Sequence, residues 1–214
     1  MHTHVMKSAS RAELIAYLAL GAAILVWSGV GPHDRTTWWL EVLPVLIATP
    51  VLILTRRRFP LTALAYRLIF VHAVILMVGG HYTYARVPLG FWVQELMSLG
   101  RNHYDRLGHL AQGFVPAIIA REILIRRSPL TSGKWLPVVV TAICLAISAI
   151  YEFIEWWAAL LGGSAATDFL GTQGDVWDTQ WDMFLAFCGA ILAQLLLSRV
   201  HDSQLGSMNG RKAG

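Results

Sequence analysis

Two glutamates three residues apart, Glu152 and Glu155, stand inside an apolar run over residues 143–161. A carboxylate at membrane depth is costly and rarely faces lipid, so its position alone marks a candidate site. Both lie toward the C-terminal end of the run, where the helix dipole disfavours anions, so capping does not account for them. Their spacing places them on one helical face with Ser148 one turn below. Two like charges in so poorly solvated a place call for a bound metal ion, a shared proton, or ion pairs to Arg101 or Arg106.

Two further sets open neighbouring apolar runs. Asp105 and His109 are four apart and share a helical face with Gln112. Asp105 at a helix start also suits N-terminal capping. An imidazole held by a carboxylate is a common metal ligand or general base, and His109 one turn in is read as such. Asp178 and Asp182 are likewise four apart; one can cap the final run, whereas Asp182 lies within it, followed on its face by Ala186 and Gly189. Those small residues let a second helix approach closely. Gln173 and Asp175 precede them in a loop whose Gly171 and Gly174 permit a tight turn over a pocket. The aromatic residues Trp156, Trp157 and Trp181 read as an interfacial belt.

Together these residues suit a divalent ion, with Asp105, His109, Glu152, Glu155, Asp178 and Asp182 as ligands and Gln112, Gln173 and Asp175 lining the pocket. Carboxylate-dominated ligation favours Mg, Mn or Ca, and the imidazole admits Fe or Zn. Such an ion polarises a phosphoryl or ester oxygen or activates water, and Glu155 and Asp182 are the candidate catalytic carboxylates.

The elements that must position these groups follow from composition. The 214 residues are 56% hydrophobic and 14% charged, with a mean hydropathy of +0.53. A soluble domain carries about 25% charge, so this surface expects lipid. The expected fold is an all-α polytopic membrane protein, one domain over residues 1–214. Six spans are read near 12–30, 38–54, 61–78, 106–125, 135–161 and 181–198, with a short cytoplasmic tail over 199–214. The third span is read as ending at Gly79 and Gly80. The first span follows a basic end without a small-residue cleavage site and reads as retained. With these spans, Arg35, Arg86, Arg101 and Arg106 fall on one side and the rest of the 17 Lys and Arg on the other. By the positive-inside rule both termini are cytoplasmic and the acids gather outside. The outer connections, 79–105 and 162–180, are expected to lie in the interface. The net charge of +4 resides in the inner loops rather than in a nucleic-acid footprint, and no glycine-rich phosphate loop is present. Cys144 and Cys188 fall in apolar runs, without ligand spacing, as packing residues.

Three stretches carry a family resemblance. They are Asp105 to His109; Tyr151, Glu152, Phe153, Ile154, Glu155 and Trp156; and Leu170 through Met183, with its polar run from Gly171 to Asp178. They resemble the DUF2238, or YjdF-like, bacterial inner-membrane family over roughly residues 103–198. That resemblance implies a multi-pass inner-membrane protein, with membrane lipids as surroundings, and no activity. The order Asp-x-x-x-His, Glu-x-x-polar, then Asp before a Gly-containing span is also similar to the VanZ-like proteins of the cell envelope. Glu155 stands where that family usually has Gln, and Asp182 where it often has Asn, so this site is more acidic.

Three functions fit. The first is a metal-binding protein acting on a lipid or envelope precursor at the outer face. The second is a cation or proton transporter using the same acids, with His72 as a deeper relay step. The third is a non-catalytic envelope scaffold. The residues propose a site; they do not of themselves establish catalysis.

Overall fold

The computed structural model describes residues 8–130, 133–162 and 173–209. Among the described residues every regular element is helical. In order they are α1 (Arg11–Gly29), α2 (Arg35–Thr55), α3 (Ala63–Tyr82), α4 (Pro88–Leu96), α5 (Tyr104–Arg127), α6 (Trp135–Gly162) and α7 (Asp178–Asn209).

Polar side chains start the first three helices. The Ser10 hydroxyl accepts from the Glu13 N–H at 3.0 Å, the Asp34 carboxylate from the Thr37 N–H at 2.6 Å, and the Thr62 hydroxyl from the Ala65 N–H at 3.3 Å. Each satisfies a donor the helix cannot reach. Pro88 opens α4, where a missing N–H costs nothing. This short helix leaves Leu89, Trp92 and Leu96 exposed.

Five helices, α1, α2, α3, α6 and α7, are long and apolar enough to cross a membrane. The chain is therefore an all-helical membrane protein. α5, expected as the fourth span, is not among them by composition, because His109, Gln112, Arg121 and Glu122 interrupt its apolar sequence. It is nevertheless the centre of the bundle: it packs most heavily on α7 and also on α6 and α3, while α3 carries α1 and α2 on its far side.

Small residues set the α5–α7 approach. A methyl group on Gly113 would run into the Ala186 carbonyl, and one on Gly189 into the Leu110 carbonyl. Ala117, Ala190 and Ala193 continue this seam and are fully buried. The close approach expected at Ala186 and Gly189 is thus made, by α5. Without bulky side chains between them, two backbones gain dispersion contacts that lipid cannot supply.

Two helix ends differ from the sequence reading. α3 continues past Gly79 and Gly80 to Tyr82, because these glycines make room for neighbours rather than stop the helix. A methyl group on Gly79 would collide with the Tyr84 ring, and one on Gly80 would press on Glu41 Cβ. The turn comes instead at Thr83 and Tyr84, with φ of 54° and 46°. α7 runs to Asn209 rather than ending near 198. His201 and Leu205 are buried there, and Gln204 Oε1 accepts from the Leu64 N–H at 2.9 Å.

A polar network explains why α7 extends. Buried Glu122 accepts from the Thr62 N–H and hydroxyl and from Arg126. It also accepts from His201 Nε2 at 3.1 Å, while Arg121 donates to His201 Nδ1 at 3.0 Å and to Asp202. One neutral imidazole tautomer serves both contacts, so α3, α5 and α7 are tied at this end with their charges paired.

Candidate metal centre

The site forms at the opposite end of α5. Asp105 and His109 project from its first turns, Glu152 and Glu155 from α6, and Asp182 from the second turn of α7. The α5–α7 seam brings Asp182 to His109, and packing of α6 on α5 brings the glutamates to its other edge. His109, Glu152 and Asp182 are 6%, 6% and 2% exposed.

His109 stands between two carboxylate groups. Its Nε2 lies 3.5 Å from Asp105 Oδ1 and 3.7 Å from Asp182 Oδ2. Its Nδ1 faces Gln112 Oε1 at 2.9 Å and Glu152 Oε1 at 4.0 Å. An amide oxygen only accepts, so in this arrangement Nδ1 carries the hydrogen toward Gln112 while Nε2 faces Asp105 and Asp182. Ligand atoms of Asp105, His109 and Asp182 lie within 4.8 Å of one another, as do those of His109, Glu152 and Glu155. Ligands on opposite sides of one cation, at about 2.1–2.4 Å each, stand about 4.2–4.8 Å apart, so the spacing of either group suits an ion, with Nδ1 a ligand only once it gives up its hydrogen.

Two atoms sharpen the picture. Glu152 Oε1 and Asp182 Oδ1 are buried and find no hydrogen-bond partner among the described residues. A carboxylate oxygen in that condition is expensive unless a cation or proton meets it. The Ser148 hydroxyl, below Glu152, is buried and unpartnered in the same sense.

The remaining acids go elsewhere. Asp178 accepts from Arg101 Nη2 at 2.7 Å, and Asp175 from Arg106 Nη2 at 2.8 Å, with Arg101 also 3.4 Å from Asp175. Asp178 thus stands with the arginines and outside both His109 groups. Arg101 and Arg106, weighed as counter-ions for Glu152 and Glu155, meet Asp175 and the first residue of α7, Asp178. Gln173 donates to the Asn102 carbonyl at 2.8 Å and holds that loop to the start of α5. Arg106 also lies over the Trp181 ring at 4.8 Å, while Trp156 and Trp157 are exposed. Gly171 lies outside the described residues.

Glu41 was not read as a site residue, yet α2 delivers it here. It is buried and accepts from the Tyr151 hydroxyl at 3.2 Å. The signal was present: Glu41 is an acid in an otherwise apolar stretch, as Glu152 is. Beside it opens a cavity of about 360 Å³ that touches the centre at Asp105, His109 and Glu155 and has His72 in its wall.

A family profile described as "Predicted membrane protein (DUF2238)" matches residues 13–203. The chain is 57% identical over 182 residues to a protein named "Inner membrane protein YjdF" from Escherichia coli (strain K12), covering 85% of this chain and 87% of that protein. No solved structure matches.

Proposed function

This chain belongs to the DUF2238 family of predicted membrane proteins, and from that premise we propose that it is a multi-pass inner-membrane protein holding a divalent metal ion on its outer side. His109, Asp105 and Asp182 form the first ligand group, with Glu152 and Glu155 against the other edge of the imidazole. The carrying observation is the pair of buried carboxylate oxygens on Glu152 and Asp182, which have no hydrogen-bond partner among the described residues. Carboxylates plus one imidazole favour Mg, Mn or Ca, and admit Fe or Zn.

In this reading the protein has six spans, with both termini cytoplasmic. α5 is the span added to those five: its 24 residues rise about 36 Å, enough to cross. Buried His109, Arg121 and Glu122 turn to neighbouring helices rather than to lipid. The distribution of Lys and Arg supports the orientation. An ion so placed can polarise an ester or phosphoryl oxygen of a lipid or envelope precursor, with Glu155 or Asp182 accepting a proton.

The test is elemental analysis of the purified protein beside a Glu152→Gln/Glu155→Gln variant and Asp182→Asn, each reloaded with Mg, Mn, Ca, Zn and Fe. Stoichiometric metal in the parent and its loss in the variants is expected. Metal-free parent protein after reloading sinks the reading.

A second reading has one observation of its own. His72 Nε2 is buried without a hydrogen-bond partner among the described residues and lines the cavity below His109, where a proton or cation relay would place it. A transporter loses flux with His72→Leu; a metal centre at the outer face keeps its ion.

A further inference from the structure

The cavity beside the metal centre has a shape and polarity of its own. Along α2 its wall runs from Glu41 to Leu52, a rise of about 16 Å at about 1.5 Å per residue. That is close to half of the about 30 Å hydrocarbon core of a bilayer. Its charged groups gather at one end, Glu41 with Asp105, His109 and Glu155; the rest is apolar, with Val45, Ala48, Ile69 and Ile119 among its walls. His72 and Gln112 lie between the two zones, and His72 Nε2 has no hydrogen-bond partner among the described residues.

The cavity also communicates with the lipid. α2 packs chiefly on α3, and α6 on α5 and α7. α2 and α6 face each other across the space and are latched by the Tyr151 hydroxyl on Glu41. Below that latch Val51 and Ile147 line the cavity yet remain 51% and 40% exposed, so it opens sideways there.

We propose that this slot holds one hydrocarbon chain of a membrane lipid, admitted between α2 and α6, with its polar linkage at His72 and Gln112 and its headgroup at His109 and Glu155. Three features agree on that occupant. The apolar zone below His72 and Gln112 takes part of one chain within a single leaflet, and the volume, about 360 Å³, lies at the low end of ligand pockets. The donor or acceptor that the His72 ring presents within the slot suits an ester or phosphoryl oxygen and is of no use to a purely apolar guest. The inference deepens the metal-centre reading by naming its substrate class, and its headgroup part rests on that reading; the chain-binding part does not.

The test reconstitutes the full chain into vesicles of phosphatidylglycerol and phosphatidylethanolamine, a fraction of the latter carrying a photoactivatable diazirine in one acyl chain. Cross-linked residues are mapped by mass spectrometry. Expected is labelling of the slot walls at Ile69, Val115 and Ile119. Ala73→Phe, and separately Ala48→Phe at the open rim, lower it about tenfold, the equivalent of the about 1.4 kcal/mol an overfilled wall costs. Labelling of the exposed Leu54 and Leu195 stays unchanged. Slot labelling no stronger than at those exposed positions, or indifferent to both substitutions, overturns the proposal. Metal content is read on the same samples: a labelled slot without metal sustains the chain site and sinks the metal centre, whereas bound metal with an unlabelled slot does the reverse.

Discussion

The Tyr151 hydroxyl donates to Glu41 Oε2 at 3.2 Å, joining residues 110 positions apart. The bond places a phenol from α6 on a buried acid of α2, directly over the slot between those helices. It is both a latch across the slot and a partner for a carboxylate with little water to turn to.

Tyr151→Phe leaves that carboxylate with one donor fewer, and an unsatisfied buried group costs about 1–3 kcal/mol. The expected outcome is a lower thermal midpoint in detergent. Adding Glu41→Leu to Tyr151→Phe removes both partners and is expected to recover much of the loss. A double variant as unstable as the sum of the two single variants contradicts a coupled pair.

The α5–α7 seam predicts a sharp contrast among glycines. Gly113→Ala sets a methyl group against the Ala186 carbonyl, which is backbone and cannot rotate away. A loss of about 1–3 kcal/mol or more is expected. Gly206 meets nothing within 4 Å, so Gly206→Ala is expected to be neutral or to stabilise α7 by up to about 1 kcal/mol. Parallel thermal melts check the pair.

The network at the far end of α5 carries its own prediction. Glu122→Ala leaves Arg126 and Arg121 with His201 around an empty place, and breaking a buried charged group costs about 3–5 kcal/mol. Limited proteolysis should then release the end of α7 beyond Ser198, while metal binding at the other end of the bundle persists. Loss of metal together with folding of the whole chain would show that the two ends are not independent.

Asp34 supplies a pH dependence outside the membrane spans. Chiefly the Thr37 N–H, donating to it, holds its carboxyl below the ordinary value of 3.8. A group with a depressed folded pKa contributes stability that is complete above the unfolded pKa. The contribution is lost as pH falls through the folded value, so the window lies below about pH 4. In Asp34→Asn the cap survives but that component of acid sensitivity vanishes, as melts between neutral and acid pH would show. An unchanged acid profile contradicts the assignment.

Much of this molecule is local and therefore legible in its sequence. Apolar runs announced the helices, because a span's length depends on neighbours along the chain. The spacing of Asp105 and His109, or of Glu152 and Glu155, assured a common face within one helix. Glycine meaning was legible only in part: Gly79 and Gly80 read as a stop, yet they accommodate Tyr84 and Glu41, a role that depends on which side chains arrive from other elements.

Partner choice among the acids was settled only in three dimensions. Asp178 and Asp182 are one turn apart on α7, yet Arg101 takes the first and His109 faces the second. Nothing in their spacing distinguishes them. The seam at Gly113 and Gly189 sets the rotation and depth of α7 against α5, and that setting turns Asp182 inward while leaving Asp178 level with Arg101. Glu41 joined the centre for the same reason, since α3 positions α2 where the Tyr151 hydroxyl can reach it. The sequence by itself determined which residues lipid would not tolerate; only the packing of helices, through short-range contacts between backbones far apart in the chain, decided which of those residues would meet.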